Sequence, residues 1–303
     1  MRVLVLGCGY VGSSLADTLA KAGHQVFGVR RHWGPAASAP GAIVRLTADL
    51  TQPAELRRLP GPFDWVVNCT SSSGGGETDY RRIYLEGTQH LLAWLADQPP
   101  ARFVYTSSTG VYAQNDGSEV DEDSPAEPKS GTGEILRQTE RQLQSAATGG
   151  FPAVILRVAG IYGPGRGYWL KQFVAGEARL DGDGTRILNQ IHRDDVVTAI
   201  INALERGQPG RIYNAVDNEP VSLVTLLTWL AARLNRPLPP LGDGSTPAGR
   251  RESTSKRVSN RRLRSELGWR AQFPTFHPGY EAELARLGFP RTPDAPAPAS
   301  ERK

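Results

Sequence analysis

The stretch Arg2-Val3-Leu4-Val5-Leu6-Gly7-Cys8-Gly9-Tyr10-Val11-Gly12 decides the fold. Arg2–Leu6 is long enough for one buried strand, and three glycines spaced G-x-G-x-x-G end it. An amphipathic helix is predicted next, over Tyr10–Ala22, with Val11, Leu15, Leu19 and Ala22 at near-helical spacing and Gly23 as its stop. Each glycine has its own duty. Gly7 permits the tight turn, Gly9 lets the backbone approach a pyrophosphate whose charge the helix N-terminus stabilises, and Gly12 lets helix and strand pack closely. The turn, with Tyr10 and Val11 in it, is therefore read as a dinucleotide site. A glycine turn without a ligand is the plainer alternative, and the strand before and helix after weigh against it.

Working outward, the same grammar of apolar run, polar loop and helical stretch repeats through the first 160 residues. Further strands are predicted at Gln25–Val29, Ile43–Leu46, Trp65–Asn68, Phe103–Thr106 and Ala153–Val158, most of them apolar on both faces. This predicts the α/β class, a Rossmann-like doubly wound parallel sheet, with a smaller C-terminal substrate lobe. The helix His192–Glu205 and the strand Arg211–Asn214 are expected to return to the sheet. The expected division is a cofactor domain over 1–162, rejoined by 191–215, and a substrate lobe from 163–190 and 216–291. That lobe contains the helix Leu223–Leu234, capped by Ser222. The Pro/Ala-rich end, 292–303, reads as a disordered tail.

Composition narrows the class. The 303 residues are 39% hydrophobic and 22% charged, which excludes collagen, coiled coil and extensive disorder. Two cysteines, Cys8 and Cys69, make no disulfide framework, and no Cys/His cluster has zinc spacing, so no metal is expected. Nowhere do 18 apolar residues run together, and the start is too short for a signal peptide, so no membrane span and a cytoplasmic location are expected.

Cofactor choice is read at the end of the second strand, where an acidic residue marks NAD. Arg30 and Arg31 stand there instead, 18 and 19 residues beyond Gly12. Two guanidiniums suit a 2′-phosphate, which predicts NADP(H); two arginines on a solvated loop are the alternative. Asp49-Leu50 is expected beside the adenine, and Thr70 and Thr106 along the cofactor.

With Phe103-Val104-Tyr105-Thr106-Ser107-Ser108-Thr109-Gly110-Val111-Tyr112 added, the chain resembles the extended short-chain dehydrogenase/reductases, the NAD(P)-dependent epimerase/dehydratase family. Arg157-Val158-Ala159-Gly160-Ile161-Tyr162-Gly163-Pro164-Gly165, Ile191-His192-Arg193-Asp194-Asp195, Tyr213-Asn214 and Leu267-Gly268-Trp269 carry the same resemblance. It implies that Ser108 is the catalytic Ser/Thr, that Gly7, Gly9 and Gly12 hold the cofactor, and that Tyr162-Gly163-Pro164 opens the substrate lobe.

The chain also departs from the family. The resemblance implies a Tyr-x-x-x-Lys pair, with a Glu four residues past the lysine; the tyrosine exchanges a proton with the substrate and the lysine lowers its pKa. With Glu140 as anchor, those places fall on Thr132 and Leu136, and no tyrosine lies between Tyr112 and Tyr162. Tyr84 takes the place of the family's asparagine. Substitute donors are Tyr112, Tyr162, Glu134 or His192, each with a plainer role in packing, solvation or loop order. A missing general acid costs about 10²- to 10⁴-fold in rate, so the chain is read as an atypical member.

The expected function is an NADP(H)-dependent oxidoreductase or epimerase-like enzyme with a non-standard donor, acting on a small polar substrate, a sugar derivative being one option. The alternative is an inactive NADP(H)-binding sensor or scaffold. Ser108 and Tyr112 are the catalytic candidates, and Tyr162, His192 and Arg257 the substrate-binding ones. The net charge of +4 is local: residues 249–270 hold eight Lys/Arg against two Glu, a balance of +6 that leaves −2 elsewhere. A solvated helix face is the first reading of that stretch, an anion site for the substrate the second, and no nucleic-acid partner is expected because no aromatic platform accompanies it. Cys8 and Cys69 read as compact apolar side chains, with a redox pair at the crevice as the alternative. Family analogy suggests a monomer or homodimer.

Overall fold

Side chains along a strand point alternately to opposite faces. In β1 (Arg2–Leu6), Val3 and Val5 enter the core under one face of the sheet and Leu4 and Leu6 the core under the other. All four are almost completely buried, so β1 lies at the centre of a sheet covered on both sides. The molecule is a computed structural model that describes residues 1–34, 43–72, 75–180, 182–242 and 254–290. The expected tail 292–303, and residues 249–253 of the basic stretch, lie outside the described residues.

Six strands join β1: β2 (Gln25–Arg30), β3 (Ile43–Thr47), β4 (Trp65–Asn68), β5 (Arg102–Ser108), β6 (Ala153–Val158) and β7 (Ile212–Ala215). The order β7-β6-β5-β4-β1-β2-β3 is parallel throughout. Strand order reverses between β1 and β4, so a crevice opens outside their C-terminal ends. α1 (Tyr10–Lys21) buries Leu15 and Leu19 on the Val3 face. A helical run over 77–95, α2, buries Leu91 and Leu95 on the opposite face, and its middle, Arg81–Glu86, is wound as π-helix. α3 (Gly131–Thr148) adds Leu143 to that face. All strands expected from sequence are present, three with the expected ends and the others with ends moved by one or two residues.

Beyond β6 the chain leaves the sheet and comes back. Gly160–Tyr162 and Gln190–His192 pair in parallel, and between them α4 (Tyr168–Ala175) packs in a separate core. α5 (Arg193–Arg206) returns to the sheet with Val196, Ile200 and Leu204. α6 (Leu223–Leu234) begins at Ser222, whose Oγ accepts the Thr225 N–H at 3.1 Å. Its Leu226, Leu227 and Leu230 meet Trp169, Phe173, Phe276 and Tyr280 in the second lobe's core.

The C-terminal segment ties this lobe to the sheet. Arg257–Val258 pairs with Glu119–Val120, α7 (Arg261–Leu267) packs beside β7, and α8 (Phe276–Arg286) supplies Phe276 and Tyr280 to the second core. Trp269 is buried and its Nε1 donates to Thr198 Oγ1 at 3.0 Å. The Asp195 carboxylate accepts the N–H groups of Gln272 at 2.6 Å and Phe273 at 2.9 Å. Among the described residues no helix is long and apolar enough to cross a membrane.

Candidate active site

Two cavities fill the crevice and share Gly7, Gly9, Cys69, Thr70 and Ser71. One, of about 360 Å³, is bordered by Arg30, Arg31, His32, Asp49 and Leu50. The other, of about 310 Å³, is bordered by Tyr10, Val11, Thr106, Ser108 and Arg166. A third, of about 70 Å³, adjoins the second through Tyr80, Ser108 and Leu136, and is also lined by Thr132, Tyr112, Lys129 and Thr254.

The glycines differ in what surrounds them. Gly7 has φ +86°, and a Cβ there would lie 2.5 Å from the Thr70 nitrogen. A Cβ on Gly12 would lie 2.3 Å from the Gly7 oxygen, so helix and turn touch directly. At Gly9 the nearest atom is 3.9 Å away, which leaves open space before the α1 N-terminus, where no side chain caps the helix. An open glycine, uncapped N–H groups and two joined cavities fit a dinucleotide.

The guanidiniums of Arg166 and Arg193 lie over the Tyr10 ring, 5.2 and 5.3 Å from its centroid. Burial pushes its hydroxyl up to about 12. The two cysteines are free, Cys8 Sγ lies 3.5 Å from the Val5 oxygen, and burial pushes the Cys8 thiol up to about 12 and Cys69 higher. At neutral pH little thiolate is then present, as expected of apolar packing rather than of a reactive pair.

At the end of β4, Asn68 organises both threonines. Its Oδ1 accepts Thr70 Oγ1 at 2.6 Å and the Thr70 N–H at 3.2 Å, and its carbonyl accepts Thr106 Oγ1 at 3.3 Å. Asn68 was not singled out by the sequence reading; the signal was a polar residue closing the apolar run Trp65-Val66-Val67. Tyr80 was missed too, while Tyr84, seen only as a substituted asparagine, accepts the Ser72 N–H at 3.2 Å and lies 4.8 Å from the Tyr80 ring.

Ser108, Thr132 and Leu136 come together around the small cavity. Ser108 Oγ accepts the Gly110 N–H at 3.1 Å, which caps the turn Thr109–Val111 and leaves its own O–H to donate. Other candidates are turned away. Tyr112 is fully buried, its hydroxyl donating to Asn214 Oδ1 at 2.9 Å and accepting Arg157 Nη1 at 2.8 Å. That hydroxyl belongs to a network in which Arg157 grips Glu140 at 3.0 and 2.7 Å, and Ser107 Oγ donates to Glu140 at 2.7 Å. Although Tyr112 lines the small cavity, its hydroxyl proton is committed to Asn214, so the geometry does not support the proton-donor role expected of Tyr112. Tyr162 is packed in the second lobe, where a Cβ on Gly279 would meet its hydroxyl at 2.2 Å. His192 caps α5, its Nδ1 accepting the Asp194 N–H at 3.2 Å, and its ring lies 3.8 Å from that of Phe273. Glu134 bonds Gln138 and Arg141 at the surface.

Arg257 is exposed and borders none of these three cavities. Its neighbour Lys256, which the sequence reading passed over, points the other way and is 3% exposed. The basic stretch is likewise no single face: Arg262 turns to Asp123 and Glu122, and Glu266 pairs with Arg211. Among the described residues no group of three His, Cys, Asp or Glu could hold a metal.

The model of the NAD dependent epimerase/dehydratase family matches residues 3–215, and the chain belongs to that family. Protein YeeZ of Escherichia coli K12 is 29% identical over 279 residues, 90% of this chain and 96% of that protein. A 3-diazoavenalumate denitrifying reductase of Streptomyces is 26% identical over 306 residues, 93% of this chain and all of that one. Among solved structures, MoeE5 in complex with UDP-glucuronic acid and NAD is 25% identical with a TM-score of 0.79, covering 95% of this chain and 100% of its own.

Proposed function

We propose that the protein is an NADP(H)-dependent reductase or epimerase-like enzyme for a small polar carbonyl or sugar-derived substrate. The observation that carries the cofactor choice is the pair Arg30 and Arg31 at the end of β2, bordering the 360 Å³ cavity opposite Asp49 and Leu50. Both guanidiniums are exposed there, ready to clamp a 2′-phosphate. Gly7, Gly9 and the α1 N-terminus would hold the pyrophosphate, with Arg166 beside it, and Thr70 and Thr106 would border the nicotinamide half. When bound, the nicotinamide supplies hydride exchange. The Ser108 O–H would hold the carbonyl oxygen at the junction of the larger and smaller cavities.

Trp33 reports on this site: its Nε1 donates to the Leu46 carbonyl at 2.9 Å, and it follows Arg31 by two residues. Titration of NADPH and NADH, followed by tryptophan fluorescence, should give tighter binding of NADPH. Arg30→Ala with Arg31→Ala should erase that preference, a loss of about 10- to 100-fold for one or two charge-assisted hydrogen bonds. Tighter NADH binding would refute the assignment. Leu136 and Thr132 at the small cavity favour a second reading, a sensor without turnover, which NADPH binding with no reduction of any carbonyl would support.

A further inference from the structure

The small cavity has a polar lining residue that does not belong to α3 or to the Ser108 turn. Thr254 lines it together with Thr132 and Leu136. Behind Thr254, Lys256 Nζ donates to Thr254 Oγ1 at 2.6 Å and to the Tyr112 carbonyl at 2.9 Å. The amine has no ion pair among the described residues. On the neighbouring segment Glu122 is engaged with the Asn214 N–H at 2.7 Å and with Arg262, and Glu119 is exposed. Glu140 is taken up by Arg157 and Ser107. Lys129, which lines the cavity itself, is exposed. Burying an ammonium without a carboxylate is costly, and burial lowers the Lys256 amine to about 8.

We propose that Thr254 and Lys256 are the proton-delivering pair of this site, reaching from the C-terminal segment into the space that Thr132 and Leu136 leave without a donor. The inference rests on the reductase reading above. With bound NADPH supplying hydride to the carbonyl carbon, the carbonyl oxygen would take the Thr254 Oγ proton and Thr254 would take one from Lys256 Nζ. The products are the alcohol and NADP⁺, and the neutral amine regains its proton from solvent. Thr254 touches the substrate oxygen; Lys256 is a positioning residue that recharges it. The hydroxyl is free to donate because the lysine bond uses it as an acceptor.

The test compares wild type with Thr254→Val, Thr254→Ser, Lys256→Met and Lys256→Arg, using phenanthrene-9,10-quinone as carbonyl probe and NADPH as reductant. NADPH affinity, read by fluorescence, should be unchanged in all five proteins. Thr254→Val should lose about 100-fold in kcat or more, while Thr254→Ser keeps most of it. Wild-type rate should fall as pH rises through about 8, and Lys256→Arg should carry that fall to higher pH. Nitrogen-detected NMR of lysine-labelled protein should show one amine titrating near 8 that disappears in Lys256→Met. Full activity of Thr254→Val with an unchanged pH profile, or a Lys256 amine titrating at the ordinary lysine value, would overturn the pair and leave the reductase reading standing. A wild type that binds NADPH and does not reduce the quinone would overturn the reductase reading, and the donor pair with it.

Discussion

Arg157 is 1% exposed, yet its guanidinium bonds Glu140 twice and the Tyr112 hydroxyl once, and lies 4.8 Å from the Tyr112 ring centroid. Removing one partner of a buried pair leaves the other charge uncompensated. Arg157→Met should therefore lower stability by about 3–5 kcal/mol, read from urea unfolding. Lys256 gives a pH signature of its own. The folded amine sits at about 8 and the ordinary value is 10.5, so between them the unfolded chain binds a proton that the folded chain does not. Stability should rise through that window by about 3 kcal/mol, the penalty being fully present below it. In Lys256→Met the rise should vanish when urea midpoints are compared below and above the window. Neither residue's role was legible in sequence. Arg157 meets Glu140 and Tyr112 across 17 and 45 positions, and Lys256 meets Tyr112 across 144. Local periodicity carries no record of such contacts; Gly7, Gly9 and Gly12, whose contacts are local to one turn, were readable.

At the scale of elements, the strands were legible because each is a continuous apolar run, and α1 because its apolar side chains keep one face. The π-helical turn Arg81–Glu86 was not, since a widened turn has no composition of its own. It matters because Tyr80 and Tyr84, at its start and middle, both border the 310 Å³ cavity. Deleting exposed Arg81 should restore α-helical winding and turn Tyr80 and Tyr84 relative to one another. The expected outcome is unchanged far-ultraviolet dichroism with roughly tenfold weaker NADPH binding, since the geometry of the wall is lost while the helix is kept.

For the whole molecule, charge and covering segments matter more than any one element. The +6 counted over 249–270 does not form one surface, because Lys256 faces inward and Arg262 is tied to Asp123 and Glu122. The same segment shields β7, the sheet's edge, with α7 and with Trp269, which is anchored on Thr198. Trp269→Ala should cost about 3–5 kcal/mol and lower Tm in calorimetry. If the segment joins both lobes into one cooperative unit, loss of Trp269 should also broaden or split the transition.

Tyr10 opens α1 at the glycine turn, while the two guanidiniums over its ring come from the start of the second lobe and the start of α5. Residues of the glycine turn, the second lobe and α5 thus form one assembly, which on the proposed function ties the substrate side to the dinucleotide. Catalysis should then follow a compulsory sequence, with NADPH arriving first and NADP⁺ departing last. Product-inhibition kinetics check this directly: NADP⁺ should compete with NADPH, and the alcohol should not.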